Sequence, residues 1–322
     1  IMDAKFIKTI FISILVLFFN LDCSMSNKEI KEFKVQVDRF ADLEILRYQV
    51  PGFNDLSLRQ KKFVYYLSQA ALSGRDIIYD QNYKYNLIIR KTISNIIKNY
   101  NGDNNTASWK QFLTYAKRVW FSNGIHHHYS TLKITPEFEE PYLKELIYNS
   151  SGTFPLDTGE SLDKFVQRIT PIIFDPKIDP KRINLDPNDD IVSSSANNYY
   201  DGLTKQEVEK FYSNMKDPKD LTPIWYGLNS RLVKENGKIY EKPWTSNGLY
   251  GDAIKKIIYW LNKAKDQAEN QAQAKELDIL IDYYQTGDLR TWDKYNISWV
   301  TNTEIDIDNI NGFIEAVSYT HL

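Results

Sequence analysis

Cysteine is all but missing from these 322 residues, Cys23 being the only one. A lone thiol leaves the folded body with neither an internal disulfide nor a thiolate metal site. Histidine is nearly as scarce, with 4 in the chain, three of them consecutive at His126, His127 and His128 and the last at His321. No charge of one sign dominates, since 40 Lys and Arg stand against 42 Asp and Glu. Without a basic tract, a nucleic-acid partner has no electrostatic support. No apolar run reaches the roughly 20 residues needed to cross a bilayer. The nearest is Ile10 to Phe19, interrupted by Ser13.

Several motifs are also missing. There is no HExxH, which would set two imidazoles on one helix face for zinc. No GxSxG marks a nucleophilic serine, and no glycine-rich loop offers backbone amides to a phosphate or dinucleotide. No internal repeat is visible.

What is present begins with a leader. Lys5 and Lys8 precede the short apolar run, and Cys23 follows it, ahead of polar residues. A basic lead before a short apolar core reads as an export signal, so residues 1–23 are assigned to a signal peptide. The position of Cys23 resembles that of a bacterial lipoprotein, in which the cysteine is lipidated, although Asp22 stands where a small residue is usual. The expected location is exported, periplasmic or anchored to a membrane through that lipid alone. At the other end, Ala316 to Leu322 reads AVSYTHL. Its back-translation resembles a sequencing-library adaptor, so residues 316–322 are set apart as an adaptor-derived tail and the chain is read as a gene fragment.

Hydrophobic residues at 42% support a packed core. Aromatics reach 14%, with 22 Tyr, a composition suited to half-buried cleft walls, though an AT-rich coding bias explains most of it. The periodicity predicts a helix capped by Ser57 and running to about Ala71, with Phe63, Leu67, Ala70 and Ala71 on one face, ended by Gly74. A second helix spans Tyr85 to Tyr100 with Ile89, Ile93, Ile96 and Ile97 on one face. A third begins at Ser108 and carries Trp109, Phe112, Leu113, Ala116 and Trp120. These three stripes are expected to cover one another. Asp175 to Asp190, rich in Pro and Asp, reads as an irregular surface segment. Thr204 to Glu207 is a capping box, and Asn236-Gly237 closes a type I′ hairpin between Arg231 and Lys242. Gly251 to Gln285 reads as one or two helices with a solvent-facing middle from Ala264 to Ala274, and Gly287 ends it. Ile297 to Val300 is expected to be a short strand. The fold class is α+β and helix-rich.

Adjacent side chains diverge on helices and strands, so the histidine triplet makes a poor chelate and reads as a polar cleft loop. Glu139-Glu140 and Asp189-Asp190 read as solvated surface. Residue chemistry alone therefore reaches an exported α+β body.

Several stretches in order resemble the dipeptidyl peptidase III family, especially its bacterial branch. They are Phe40 to Tyr48, Phe63 to Ser68, Tyr115 to Gly124, Leu228 to Val233, Ile297 to Val300, and Asn311 to Glu315. The resemblance implies that residues 33–315 form an incomplete lower lobe of a two-lobed zinc peptidase that releases dipeptides from peptide N-termini. It also implies that the HExxGH and EExxAE-type motifs holding zinc lie outside this sequence, which leaves the fragment without catalytic or metal-binding residues of its own. His128 and Tyr129 fall where the family lines a substrate subsite, and Asp308 falls near the substrate amino terminus. Asn311 and Glu315 belong to the same substrate-binding motif, Glu315 being equally a structural hydrogen-bond acceptor. Ile310 stands where other members carry a substrate-contacting tyrosine. The rival expectation is an exported lipoprotein that binds peptides or glycans.

Overall fold

The computed structural model describes residues 33–311. Cys23, Glu315, the leader over residues 1–23 and the tail over residues 316–322 lie outside the described residues. The chain divides into two compact units that meet at Gln49 and Val50. In the first, β1 (Gln36–Phe40) and β2 (Leu43–Leu46) form an antiparallel hairpin. Ala41 takes a positive φ of 48° in its turn, and Arg47 closes it by donating its N–H to the Val35 carbonyl at 2.8 Å.

The second unit holds nine α-helices among the described residues. Four of them, α2 (Asn86–Asn99), α3 (Ala107–Phe121), α4 (Glu140–Tyr148) and α5 (Leu162–Phe174), surround one apolar cluster, and α1 (Leu58–Asn82) precedes them. The expected Ile89, Ile93 and Ile96 stripe of α2 meets Trp109, Phe112 and Ala116 of α3 there. Trp120 is the exception: it is exposed, and Tyr115 and Val119 face the core in its place. The caps set the helix entries. Thr106 accepts from the Trp109 N–H at 3.1 Å, and Ser161 accepts from the Lys164 N–H at 3.3 Å. A cap contributes about 1 kcal/mol, whereas each fully buried Ile or Phe contributes about 1.5–3 kcal/mol, so the stripes decide the fold and the caps trim it.

The predicted mutual cover of three stripes is corrected in one respect. Phe63, Ala70 and Ile77 of α1 do not join α2 and α3. They pack in a second cluster with α7 (Gly251–Lys265), α8 (Gln271–Thr286) and α9 (Leu289–Thr301). Ser57 caps α1 as expected, with Gln60 completing the box. The helix does not stop at Gly74, however, because that residue serves packing. A Cβ there would meet Ile257 Cδ1 of α7 at 3.3 Å, so the missing side chain allows the two helices to approach. Gly287 does end α8, with φ 72° and its N–H on the Tyr283 carbonyl at 2.7 Å.

Two further expectations fail on this core. Ala264, Ala268 and Gln273 are buried, so the turn between α7 and α8 is an inner corner and not a solvent-facing middle. Ile297 to Val300 is helical, within α9. Asp288 caps that helix by accepting from the N–H groups of Arg290 and Thr291, and the cap outweighs the β-branched pattern downstream.

A third, smaller cluster joins α6 (Lys205–Ser213) to a sheet of β3 (Tyr200–Asp201), β4 (Ser230–Glu235) and β5 (Lys238–Pro243). The β4–β5 hairpin pairs Ser230 with Pro243 through Glu235 with Lys238, and β3 adds in parallel to β4. Asn236 and Gly237 take φ of 51° and 76°, both positive as the type I′ turn demands. Arg231 of β4 binds Asp80 of α1 at 2.6 Å, and the Tyr250 hydroxyl donates to the same carboxylate oxygen at 2.6 Å. The architecture is α+β with helix predominant.

Candidate functional site

The histidine loop is built from the end of α3. Asn123 and Gly124 turn the chain with φ of 50° and 148°. A Cβ on Gly124 would lie 2.1 Å from Asn86 Nδ2, so only glycine fits. The buried Asn86 side chain then locks the turn. It donates to the Tyr79 carbonyl at 3.1 Å and accepts the Ile125 N–H at 3.1 Å. Residues 125–134 fold back on themselves, with Ile134 N–H on Ile125 O at 2.8 Å and His127 N–H on Leu132 O at 2.7 Å.

The three imidazoles have three different environments. His126 is buried edge-on against Tyr83, and its Nε2–H donates to the Asp179 carbonyl at 2.8 Å. Burial lowers its pKa to about 4. His127 Nδ1 accepts the backbone N–H groups of Tyr129 and Ser130 at 3.1 Å each. His128 packs its ring edge-on against Phe121 with centroids 4.8 Å apart, and its carbonyl accepts from Arg182 Nη2 at 3.3 Å. Tyr129 at the tip is 87% exposed.

The segment from Asp175 to Asp190 is irregular, but part of it lies under this loop and is not plain surface. Lys133 N–H donates to Pro180 O at 2.9 Å, and Arg182 N–H donates to Thr131 O at 2.8 Å. Lys133 Nζ donates to the carbonyls of Asp175 and Ile178, and burial lowers its pKa. Arg182 is held by Asn82 Oδ1 at 2.9 Å, with burial lowering it too. Sequence reasoning missed Asp179, Lys133 and Arg182. No local signal names them, because each acts through a partner about 40–100 positions away in the chain.

A second group stands on the other core. Residues 302–311 form a strap along α8 and α9, bent at Glu304 and Asp306, with odd-numbered residues from Ile305 half-buried and Glu304, Asp306, Asp308 and Ile310 exposed. Asp308 Oδ1 accepts from Trp299 Nε1–H at 2.9 Å and from the Asn309 N–H at 2.7 Å. Asn311 Oδ1 accepts from the Tyr284 hydroxyl at 2.7 Å, and Ile310 is 84% exposed. Beneath them Glu276 is fully buried, meets Asn302 Nδ2 at 3.4 Å, and has its pKa raised by burial. The structure therefore brings Asp308 and Asn311 onto one strap. His128 and Tyr129 lie on a loop supported by the first cluster.

The described residues do not fit a zinc site. His126 commits Nε2 to a carbonyl and His127 commits Nδ1 to two amides. No group of three His, Cys, Asp or Glu side chains able to hold a metal occurs among the described residues. Two surface cavities lie elsewhere. One of 620 Å³ is lined by Tyr100, Asp103, Tyr142 and Glu145, and one of 500 Å³ by Arg90, Lys98 and Phe154, among others.

Residues 228–320 match the model of peptidase family M49. The M49 range takes in the β4–β5 hairpin, α7 to α9 and the strap. The resembling stretches at Leu228 to Val233, Ile297 to Val300 and Asn311 to Glu315 all fall inside it, while the earlier ones fall outside. A solved structure, DPP III from Caldithrix abyssi, is similar to the chain at 16% identity with a TM-score of 0.47. The alignment covers 79% of this chain and 35% of that one, so the chain spans about a third of its length. None of the curated proteins matches the chain in sequence.

Proposed function

We propose that the chain supplies one wall of the substrate cleft in a zinc-dependent exopeptidase that releases dipeptides from peptide N-termini. The observation that carries this reading is the family M49 match over residues 228–320, which includes the strap bearing Asp308 and Asn311. On this reading the exposed Asp308 carboxylate, oriented through its Oδ1 by Trp299, meets the cationic amino end of a peptide. Such a charge-assisted hydrogen bond is worth about 1.5–3 kcal/mol. Tyr129 and His128 offer a second contact surface for the peptide, and Glu315 extends the strap's motif. Zinc, when bound in the whole enzyme, would activate the attacking water. Its ligands would come from HExxGH and EExxAE-type motifs, neither of which is in this sequence. The chain alone then binds peptide without cleaving it.

The leader supports export as part of the same proposal, with Cys23 as a lipid attachment point. Labelled palmitate incorporated into the chain and lost in Cys23→Ser would support the anchor. Equal labelling of both would remove it.

The test of the main reading is calorimetric binding of tetra-alanine to the purified chain and to Asp308→Asn. Weakening of about tenfold or more in the variant is expected, the equivalent of one charge-assisted bond. Unchanged affinity would remove Asp308 from the site. Chelator-sensitive release of dipeptide from a dipeptidyl-naphthylamide by the chain would contradict its non-catalytic role.

A further inference from the structure

Among the described residues the strap pairs with no strand, yet exposure alternates along it, with Ile305, Ile307, Asn309 and Asn311 half-buried between exposed neighbours. With a period of two, a slip of one residue would turn Asp308 and Ile310 inward and bring Ile307 and Asn309 to the surface. In a sheet the hydrogen-bond ladder fixes register. Here side chains beside and on α8 take the place of the ladder. Glu269, just ahead of α8, accepts the consecutive backbone N–H groups of Asp306 at 3.3 Å and Ile307 at 2.8 Å. Gln273, fully buried one turn on, donates from Nε2 to the Ile307 carbonyl at 2.8 Å. Its Oε1 accepts the Glu269 N–H at 2.7 Å, so it also fixes the residue that holds the strap. Asn270 Nδ2 donates to the Glu304 carbonyl at 3.0 Å, and Gln60 of α1 reaches both Glu269 and Asp306 at 3.0 Å. Ile307 anchors the centre by packing on the second core.

We propose that Glu269 and Gln273 are positioning residues that set the register of the strap, so that Asp308 and Ile310 face outward to meet peptide. This rests on the peptide-binding reading above. Neither residue needs to touch a peptide. Glu269 offers two acceptor oxygens to two successive amides, which the bend at Asp306 turns to the same side, and this holds Ile307 against the core with Asp308 outward. The pair also explains why polar side chains are kept at the start of α8, where the pattern alone suggested solvent.

The experiment compares Glu269→Ala and Glu269→Gln with the unsubstituted chain. Amide hydrogen exchange is followed at Asp306 and Ile307, and at Ile93 and Ile96 as an internal control. Tetra-alanine binding is measured alongside. In Glu269→Ala, exchange at the two strap amides is expected to speed up about tenfold, the equivalent of one charge-assisted bond. Exchange at the α2 control is expected to stay unchanged, and tetra-alanine binding to weaken about as much. Glu269→Gln keeps an acceptor oxygen and is expected to restore most of both. Unchanged strap exchange in both variants overturns the clamp. Faster strap exchange with undiminished tetra-alanine binding overturns its positioning role. If the unsubstituted chain does not bind tetra-alanine, the peptide reading itself fails, and the exchange arm still decides whether Glu269 holds the strap.

Discussion

The imidazole of His126 donates through Nε2 to the backbone carbonyl of Asp179 at 2.8 Å, across 53 residues of sequence. Tyr83 donates to the carboxylate of that same Asp179 at 2.6 Å. Asp179 has a positive φ of 45°, a conformation that non-glycine residues seldom adopt and that these two bonds hold in place. The histidine that invites a metal reading is thus the post beneath the loop, and Tyr129 is what the loop presents.

Acid should test that post directly. In the unfolded chain His126 takes a proton near the ordinary histidine value of about 6.5, whereas burial delays protonation in the folded chain to about pH 4. Unfolding therefore takes up a proton between those two values. His126 contributes its full stability above the unfolded value and loses it as pH falls toward 4, by an amount on the order of 3 kcal/mol. Urea denaturation of the chain and of His126→Gln, at pH near 5 and near 7, measures this. The variant is expected to be less stable near neutrality and to lose less on acidification. An identical pH dependence in both would contradict the burial account.

Glu276 titrates in the opposite sense. Burial raises its carboxyl pKa, so the folded chain keeps a proton that the unfolded chain gives up. Its contribution is fully present below the ordinary glutamate value and is lost as pH rises. Glu276→Gln supplies a neutral side chain of the same shape, and its benefit is expected to grow with pH. Thermal melts from pH about 4 to 8 should show the variant's Tm rising relative to the parent. A benefit that shrinks with pH would mean the carboxylate is stabilised as an anion.

Gly74 and Ile257 are expected to couple. Alanine has a helix propensity up to about 1 kcal/mol better than glycine, but its Cβ would press on Ile257 Cδ1 at 3.3 Å. Gly74→Ala should therefore change stability little, within about 0.5 kcal/mol, while Gly74→Leu should cost about 1–3 kcal/mol. In an Ile257→Val background the clash is relieved, and Gly74→Ala should stabilise. A double-mutant cycle with no coupling would show that the helices are not in contact there.

Local signals in the sequence carried much of the fold. The cap at Ser57, the capping box at Thr204, the Asn236-Gly237 turn and the isoleucine stripe of α2 all stand as read, because each depends on residues within a few positions. What the sequence did not disclose was choice of partner. Phe63, Ala70 and Ile77 carry a proper helical stripe, but nothing in it says that α7 covers them and α2 does not. Gly74 looks like a stop, since a packing glycine and a terminating glycine are the same letter. Ile297 to Val300 has strand propensity that the Asp288 cap overrides. The strap's environment was hidden for a related reason: Glu269, Gln273 and Glu276 sit in a stretch rich in Ala, Gln and Lys, and only the tertiary corner turns them inward.

The most direct test is a nitrogen–proton NMR titration of the chain with tetra-alanine. If the strap and the histidine loop form a peptide-binding wall, the amides of Asp308, Asn309, Ile310 and Tyr129 shift saturably, and the strap shifts disappear in Asp308→Asn. Shifts confined to the cavity around Tyr100 and Tyr142, or no shifts at any peptide concentration, would contradict it.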